Sequence, residues 1–157
     1  MEIIVINLKC AKERMTFQCR QLDRLGLHFS RLSAECASHS ANFEKYQHSW
    51  QRPLSHFEVS LFFNHKKIGE RVVSENTLIL ILEDDAYLAD ETRELLKIIE
   101  SLKGIDCLSI EARGNQQKKL LAKNADYCLE QSALFRLYQG RSGTGSYVLR
   151  PTATKNY

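Results

Sequence analysis

Long apolar runs are missing from this chain. The most extended, Thr77 to Leu82, is of strand length and ends in three carboxylates, so no segment is expected to cross a bilayer as a helix. The N-terminus, Met1-Glu2-Ile3-Ile4-Val5-Ile6, lacks a basic leader region and carries an acid where a signal peptide would place a cation. A cytoplasmic location is therefore expected. Paired cysteine motifs are also absent. Cys10, Cys19, Cys36, Cys107 and Cys128 form no CxxC pair and are odd in number, which argues against a zinc ribbon and a complete disulfide framework. They are expected to act as small, partly buried hydrophobes. No five-residue block is purely basic, and a net charge of +3 is too small to imply a nucleic-acid partner. There is no internal repeat and no low-complexity tract.

What is present suits one soluble domain spanning residues 1–157, with 43% hydrophobic and 26% charged residues. Lys9, Lys12, Arg14, Arg20, Arg24 and Arg31 crowd the first part of the chain. They could attract phosphate groups or the inner face of an anionic membrane, to which peripheral contact is one expectation; a solvated helix face explains them equally.

Glu2 to Leu8 is β-branched and almost continuously apolar, the pattern of a strand covered on both faces. A helix is predicted from Ala11 to Leu25, with Met15, Cys19, Leu22 and Leu25 as its buried stripe and Gly26 closing it. A second strand is predicted over His28 to Ala34. This β-α-β opening favours a parallel sheet with right-handed crossovers. Residues 35–53, which include the sole tryptophan, Trp50, read as a long loop. Ser55-His56-Phe57-Glu58 has the form of a capping box and predicts a helix to Val73, with Phe57, Leu61, Ile68 and Val72 inward. Further predicted elements are a strand at Thr77–Leu82, a helix at Asp90–Lys103 closed by Gly104, and a strand at Cys107–Ile110. Asp126–Leu129 and Ala133–Tyr138 read as strands of a hairpin, and Ser146–Leu149 as a last strand. Gly143 and Gly145 before it suggest a turn needing positive φ or the close approach of a ligand.

The chemistry-bearing feature is Glu83-Asp84-Asp85 at the end of the most apolar strand. Carboxylates there lie at the rim where open α/β sheets bind ligands. Three adjacent anions repel, and a hard divalent cation relieves that repulsion. Strand alternation would put Glu83 and Asp85 on one side, sharing a Mn²⁺ or Mg²⁺ ion, and Asp84 on the other. Acids that merely solvate a loop and cap the next helix are the plain alternative. A phosphoacceptor receiver domain also carries such acids, but it begins with that strand, and here half the chain precedes it. Too little chain follows for the remaining units, and Asp126 lacks the expected turn.

Taken in order, the motifs resemble glycosyltransferase family 25, the lipooligosaccharide galactosyltransferases of Gram-negative bacteria and their collagen-modifying relatives. Ile4-Val5-Ile6-Asn7-Leu8-Lys9 with Glu13-Arg14-Met15 is similar to that family's I-N-L-x-x-x-x-x-R start, and Leu25-Gly26-Leu27 to the turn into its second strand. Pro53-Leu54 with Glu58-Val59-Ser60-Leu61-Phe62-Phe63-Asn64-His65 is similar to its G-E-I-G-C-A-L-S-H helix. Ile79 to Asp85 matches I-L-E-D-D, and Gly143 to Leu149 resembles its late G-T-x-A-Y-V-I strand. The family's Gly-Cys is Ser60-Leu61 here, and its Ser-His is Asn64-His65.

The resemblance implies an α/β, GT-A-like (Rossmann-like) fold with a mostly parallel sheet flanked by helices. It also implies a metal-dependent inverting transferase that moves a sugar, expected to be galactose, from a UDP-sugar to a lipooligosaccharide or other glycan acceptor. Carried over by position, Asn7, Arg14, His65 and Asp84 would bind the donor, and Glu83 and Asp85 the metal. Glu111 and Asp106 are the candidate bases, with no choice between them. The chain stops at Tyr157 where the family continues, so a C-terminally short member is expected. The alternative is a non-catalytic nucleotide-sugar-binding remnant serving as a binding or assembly subunit. Among other singled-out residues, Glu58 is accounted for by its cap, Tyr147 by packing, and Trp50 by hydrophobic anchoring or sugar stacking.

Overall fold

The computed structural model describes residues 1–35, 43–48, 51–111, 120–129, 133–139 and 143–154. The backbone gathers into two compact units, Met1–Ile110 with Gly145–Tyr157, and Glu111–Thr144.

The first unit contains β1 (Glu2–Leu8), α1 (Lys12–Arg24), β2 (Ser30–Ala34), α2 (Phe43–Gln47), α3 (His56–Glu75), β3 (Ile79–Glu83), α4 (Thr92–Ser101) and β4 (Cys107–Ser109). The second unit holds β5 (Leu120–Leu121), β6 (Tyr127–Cys128), β7 (Ala133–Leu134) and β8 (Leu137–Gln139); the chain then returns to the first as β9 (Ser146–Leu149). The short helix α2 interrupts the predicted loop; Trp50 lies outside the described residues.

The main sheet has the order β2-β1-β3-β9-β4. β1 pairs in parallel with β2 and β3, whereas β9 runs antiparallel between β3 and β4. The expected mostly parallel sheet is thus a mixed one. The late strand enters against the direction of its neighbours, a pairing that depends on tertiary contact and leaves no local signature.

Strand alternation divides the core. Ile3, Val5, Leu80 and Leu82 face α1 and α4 through Leu22, Leu96 and Ile99. Ile4, Ile6, Ile79 and Ile81 face α3 through Ile68 and Val72. Residues Ile79 to Leu82 are fully buried, which explains their unbroken apolar sequence.

Two predicted helix faces are corrected. α1 buries Gln18, Gln21 and Leu22, with Met15 and Cys19 only partly covered. α3 turns Val59, Asn64, Ile68 and Val72 inward and leaves Phe57 83% exposed. Its first turns pack Val59 and Phe63 beside Phe43 and Tyr46 of α2, rotating the apolar face away from Phe57 and Leu61. The Ser55–Glu58 capping box forms as read, with both reciprocal bonds present. Cys10, Cys107 and Cys128 are exposed rather than partly buried, and Cys19 is intermediate; none of these four is in a disulfide.

Within the second unit, β6 pairs with β7 and β5 with β8, giving nested antiparallel pairs. Gly143 has φ 112°, and the Glu111 carboxylate lies against it. The positive φ anticipated at this glycine is present, and the group against it is a carboxylate of the chain itself.

Candidate functional site

β1 leads through α1 to β2 on one side, while β3 flanks β1 on the other. α1 and α3 consequently cover opposite faces. The C-terminal ends of β1 and β3 therefore form a topological switch point, where ligands of open α/β sheets bind. Ile6 is in register with Glu83, which brings Asn7 and Asp84 to that rim.

On the α1 side, Asn7 is 1% and Asp84 6% exposed. Asn7 Nδ2 donates to Asp84 Oδ2 at 2.6 Å and to the Ala11 carbonyl at 3.0 Å. Arg14, one helical turn into α1, sets Nη1 3.0 Å from Asp84 Oδ1 and remains half exposed. The buried carboxylate is thus compensated by an amide and a cation rather than by solvent.

Sequence reading missed the support beneath this carboxylate. Gln18 and Gln21 each donate Nε2 to the Ala86 carbonyl at 2.8 Å, and Gln21 Oε1 accepts the Leu88 N–H at 3.0 Å. Gln21 also donates to Gln18 Oε1 at 2.6 Å. The two side chains clamp the segment that follows the acids. Their spacing of three puts both on one helix face, but nothing local marks that polar face as buried.

On the α3 side, Glu83 faces His65, whose Nε2 lies 3.6 Å from Glu83 Oε1. His65 Nδ1 is 2.7 Å from the Tyr147 hydroxyl, and the two rings stack. Burial foremost, then the nearby Cys107 and Glu83, pushes the Tyr147 phenol well above its ordinary value. Asn64, at the family's Ser position, is buried and bonds Glu35 through both amide atoms, tying α3 to the end of β2. Among the described residues, Asn7 Oδ1 and His65 Nε2 are buried without a hydrogen-bond partner. Both flank the acidic strand end, one on each face. Orphaned buried polar atoms are uncommon, and strain, a bound water or ion, or a catalytic role accounts for them.

β3 ends at Glu83; Asp84 and Asp85 belong to a turn closed by Ala86 N–H on the Glu83 carbonyl at 3.1 Å. Alternation therefore holds for Glu83 and Asp84, which face opposite sides, but does not extend to Asp85, which is exposed. Among the described residues no group of three or more His, Cys, Asp or Glu is arranged to hold a metal by itself. Hard Mg²⁺-type ions bind through as few as one or two carboxylates plus water and substrate phosphates, and Glu83 and Asp85 are oxygen donors of that type.

Asp106 is exposed at the start of β4, where Cys107 lies level with Ile79, at the opposite end of the sheet from Glu83. It is not gathered with the acids. Glu111 begins the second unit, beside Gly143. No helix among the described residues is long and apolar enough to cross a membrane.

The family model described as Glycosyltransferase family 25 (LPS biosynthesis protein) matches residues 1–157. None of the curated proteins matches the chain.

Proposed function

The chain belongs to glycosyltransferase family 25, and from that premise we propose that it is a metal-dependent inverting enzyme transferring galactose from UDP-galactose to a lipooligosaccharide acceptor. The observation that carries this reading is the polar cluster at the switch point of β1 and β3. There Asn7, Arg14 and Asp84 meet on one face, and Glu83 and His65 on the other. A GT-A-like architecture belongs to the same proposal.

Each group has a task that its chemistry suits. Arg14 offers a half-exposed guanidinium, able to add a phosphate oxygen to its contact with Asp84. Asn7 and Asp84 form the rigid floor on which ribose or sugar hydroxyls would rest. Glu83 and Asp85 would hold a Mn²⁺ or Mg²⁺ ion together with the donor diphosphate. That ion, when bound, neutralises charge developing on the leaving group. Exposed basic residues before and along α1, among them Lys9, Lys12 and Arg20, favour approach to anionic donors and to the phosphate-bearing inner membrane face.

The test is a transfer assay on the purified 157-residue chain. UDP-galactose, Mn²⁺ and a galactose- or glucose-terminated acceptor should yield the extended glycan with inverted anomeric configuration. Failure to transfer or hydrolyse any UDP-sugar would remove the enzymatic reading.

A further inference from the structure

Tyr147 and His65 come from different elements, β9 and α3, yet meet beside the acidic rim. The phenol oxygen is 2.7 Å from His65 Nδ1, and the ring centroids are 5.6 Å apart at 29°. On the far side of the imidazole, Nε2 lies 3.6 Å from Glu83 Oε1 and has no hydrogen-bond partner.

Two neutral tautomers are possible for such a ring, and its surroundings are not symmetric. With the proton on Nδ1, Nε2 would turn a lone pair towards a carboxylate oxygen. With the phenol donating to Nδ1, Nε2 keeps its hydrogen and directs it at the carboxylate. The second arrangement sets a donor against an acceptor at both ends of the ring. We propose that Tyr147 is a positioning residue, whose hydroxyl fixes the His65 tautomer so that Nε2–H faces Glu83 and orients that carboxylate for the donor-bound cation. The orientation step rests on the donor reading above; the tautomer does not.

Two further observations support the arrangement. Burial holds the phenol above its ordinary range, so it keeps the hydrogen it must donate. Ring stacking and the β9 ladder, with Tyr147 opposite Ile81, fix the phenol independently of any ligand. The role matches that of residues which orient a metal's ligands without touching the metal.

The experiment is a long-range ¹H–¹⁵N correlation spectrum of the full chain with labelled imidazoles, at a pH where they are neutral. The chain has five histidines, and a His65→Gln spectrum identifies the relevant signal. His65 should show an unprotonated Nδ1 and a protonated Nε2, and Tyr147→Phe should convert this into a mixture. A protonated Nδ1 in the unmodified chain, or an unchanged signal in Tyr147→Phe, would overturn the proposal. If the variant fails to fold, the unmodified spectrum alone decides. UDP-galactose affinity in Mn²⁺ should fall about fivefold in Tyr147→Phe, the effect of losing one hydrogen bond. Unchanged affinity would overturn the orienting role. An unmodified chain that binds no UDP-sugar would defeat the donor reading and the orientation built on it, leaving the tautomer to the spectrum.

Discussion

The side-chain amide of Asn7 donates to the Asp84 carboxylate at 2.6 Å, joining the ends of two neighbouring parallel strands. Asn7→Ala would leave Asp84 buried with Arg14 as its remaining described side-chain partner. Hydrogen bonds to charged groups contribute more than neutral ones, so a loss of about 2 kcal/mol is expected in urea denaturation. Asn7→Asp should be worse, because two carboxylates would then share one buried corner. An Asn7→Asp chain as stable as the original would contradict this view of the rim.

Gln21→Leu removes the acceptor for the Leu88 N–H and one of two donors to the Ala86 carbonyl. Leucine occupies similar volume but leaves a buried amide unpaired, a cost of about 1–3 kcal/mol. Amide exchange at Leu88 should speed up in the variant, while amides of α4 keep their protection. Uniform acceleration throughout the unit would point to global destabilisation instead.

The Arg52 guanidinium beside Glu58, aided by the Ser55 cap bonds, holds the Glu58 carboxyl down from 4.5 to about 2. Because the folded value is depressed, the contact's contribution is present above about 4.5 and fades as pH falls towards about 2. Arg52→Ala should move the Glu58 titration upward in carbon-detected NMR. Both groups lie at the surface, so thermal stability near neutrality should change little.

Glycines at two positions should respond oppositely to alanine. At Gly69, inside α3, a methyl group meets nothing within 4 Å, and Gly69→Ala should stabilise by about 0.5–1 kcal/mol. At Gly143, φ is 112° and a Cβ would stand 2.2 Å from Glu111 Oε2. Gly143→Ala should destabilise and displace the Glu111 side chain. Paired thermal melts check both signs.

Much of the first unit was legible because local rules agree with tertiary packing there. The continuous apolar runs of β1 and β3, the Ser55–Glu58 cap and the left-handed Gly26 and Gly104 each follow from short-range chemistry. Long-range partnerships were not legible. Gln18 and Gln21 are buried because a segment more than sixty residues away supplies backbone partners, which no helical stripe reveals. β9 inserts antiparallel between β3 and β4 through pairing alone. At the site, alternation correctly separated Glu83 from Asp84, while Asp85 already lies in the turn beyond the strand, where that rule has no force. Reading Tyr147 as packing was half the picture: it packs, and it also bonds His65.

Calorimetric titration of UDP-galactose bears most directly on the rim acids as a cation-assisted diphosphate site. Binding should be strong with Mn²⁺, and should lose its metal-dependent part both with chelator and in Asp85→Ala, whose exposed side chain leaves the fold intact. Equal affinity in all three conditions would contradict it.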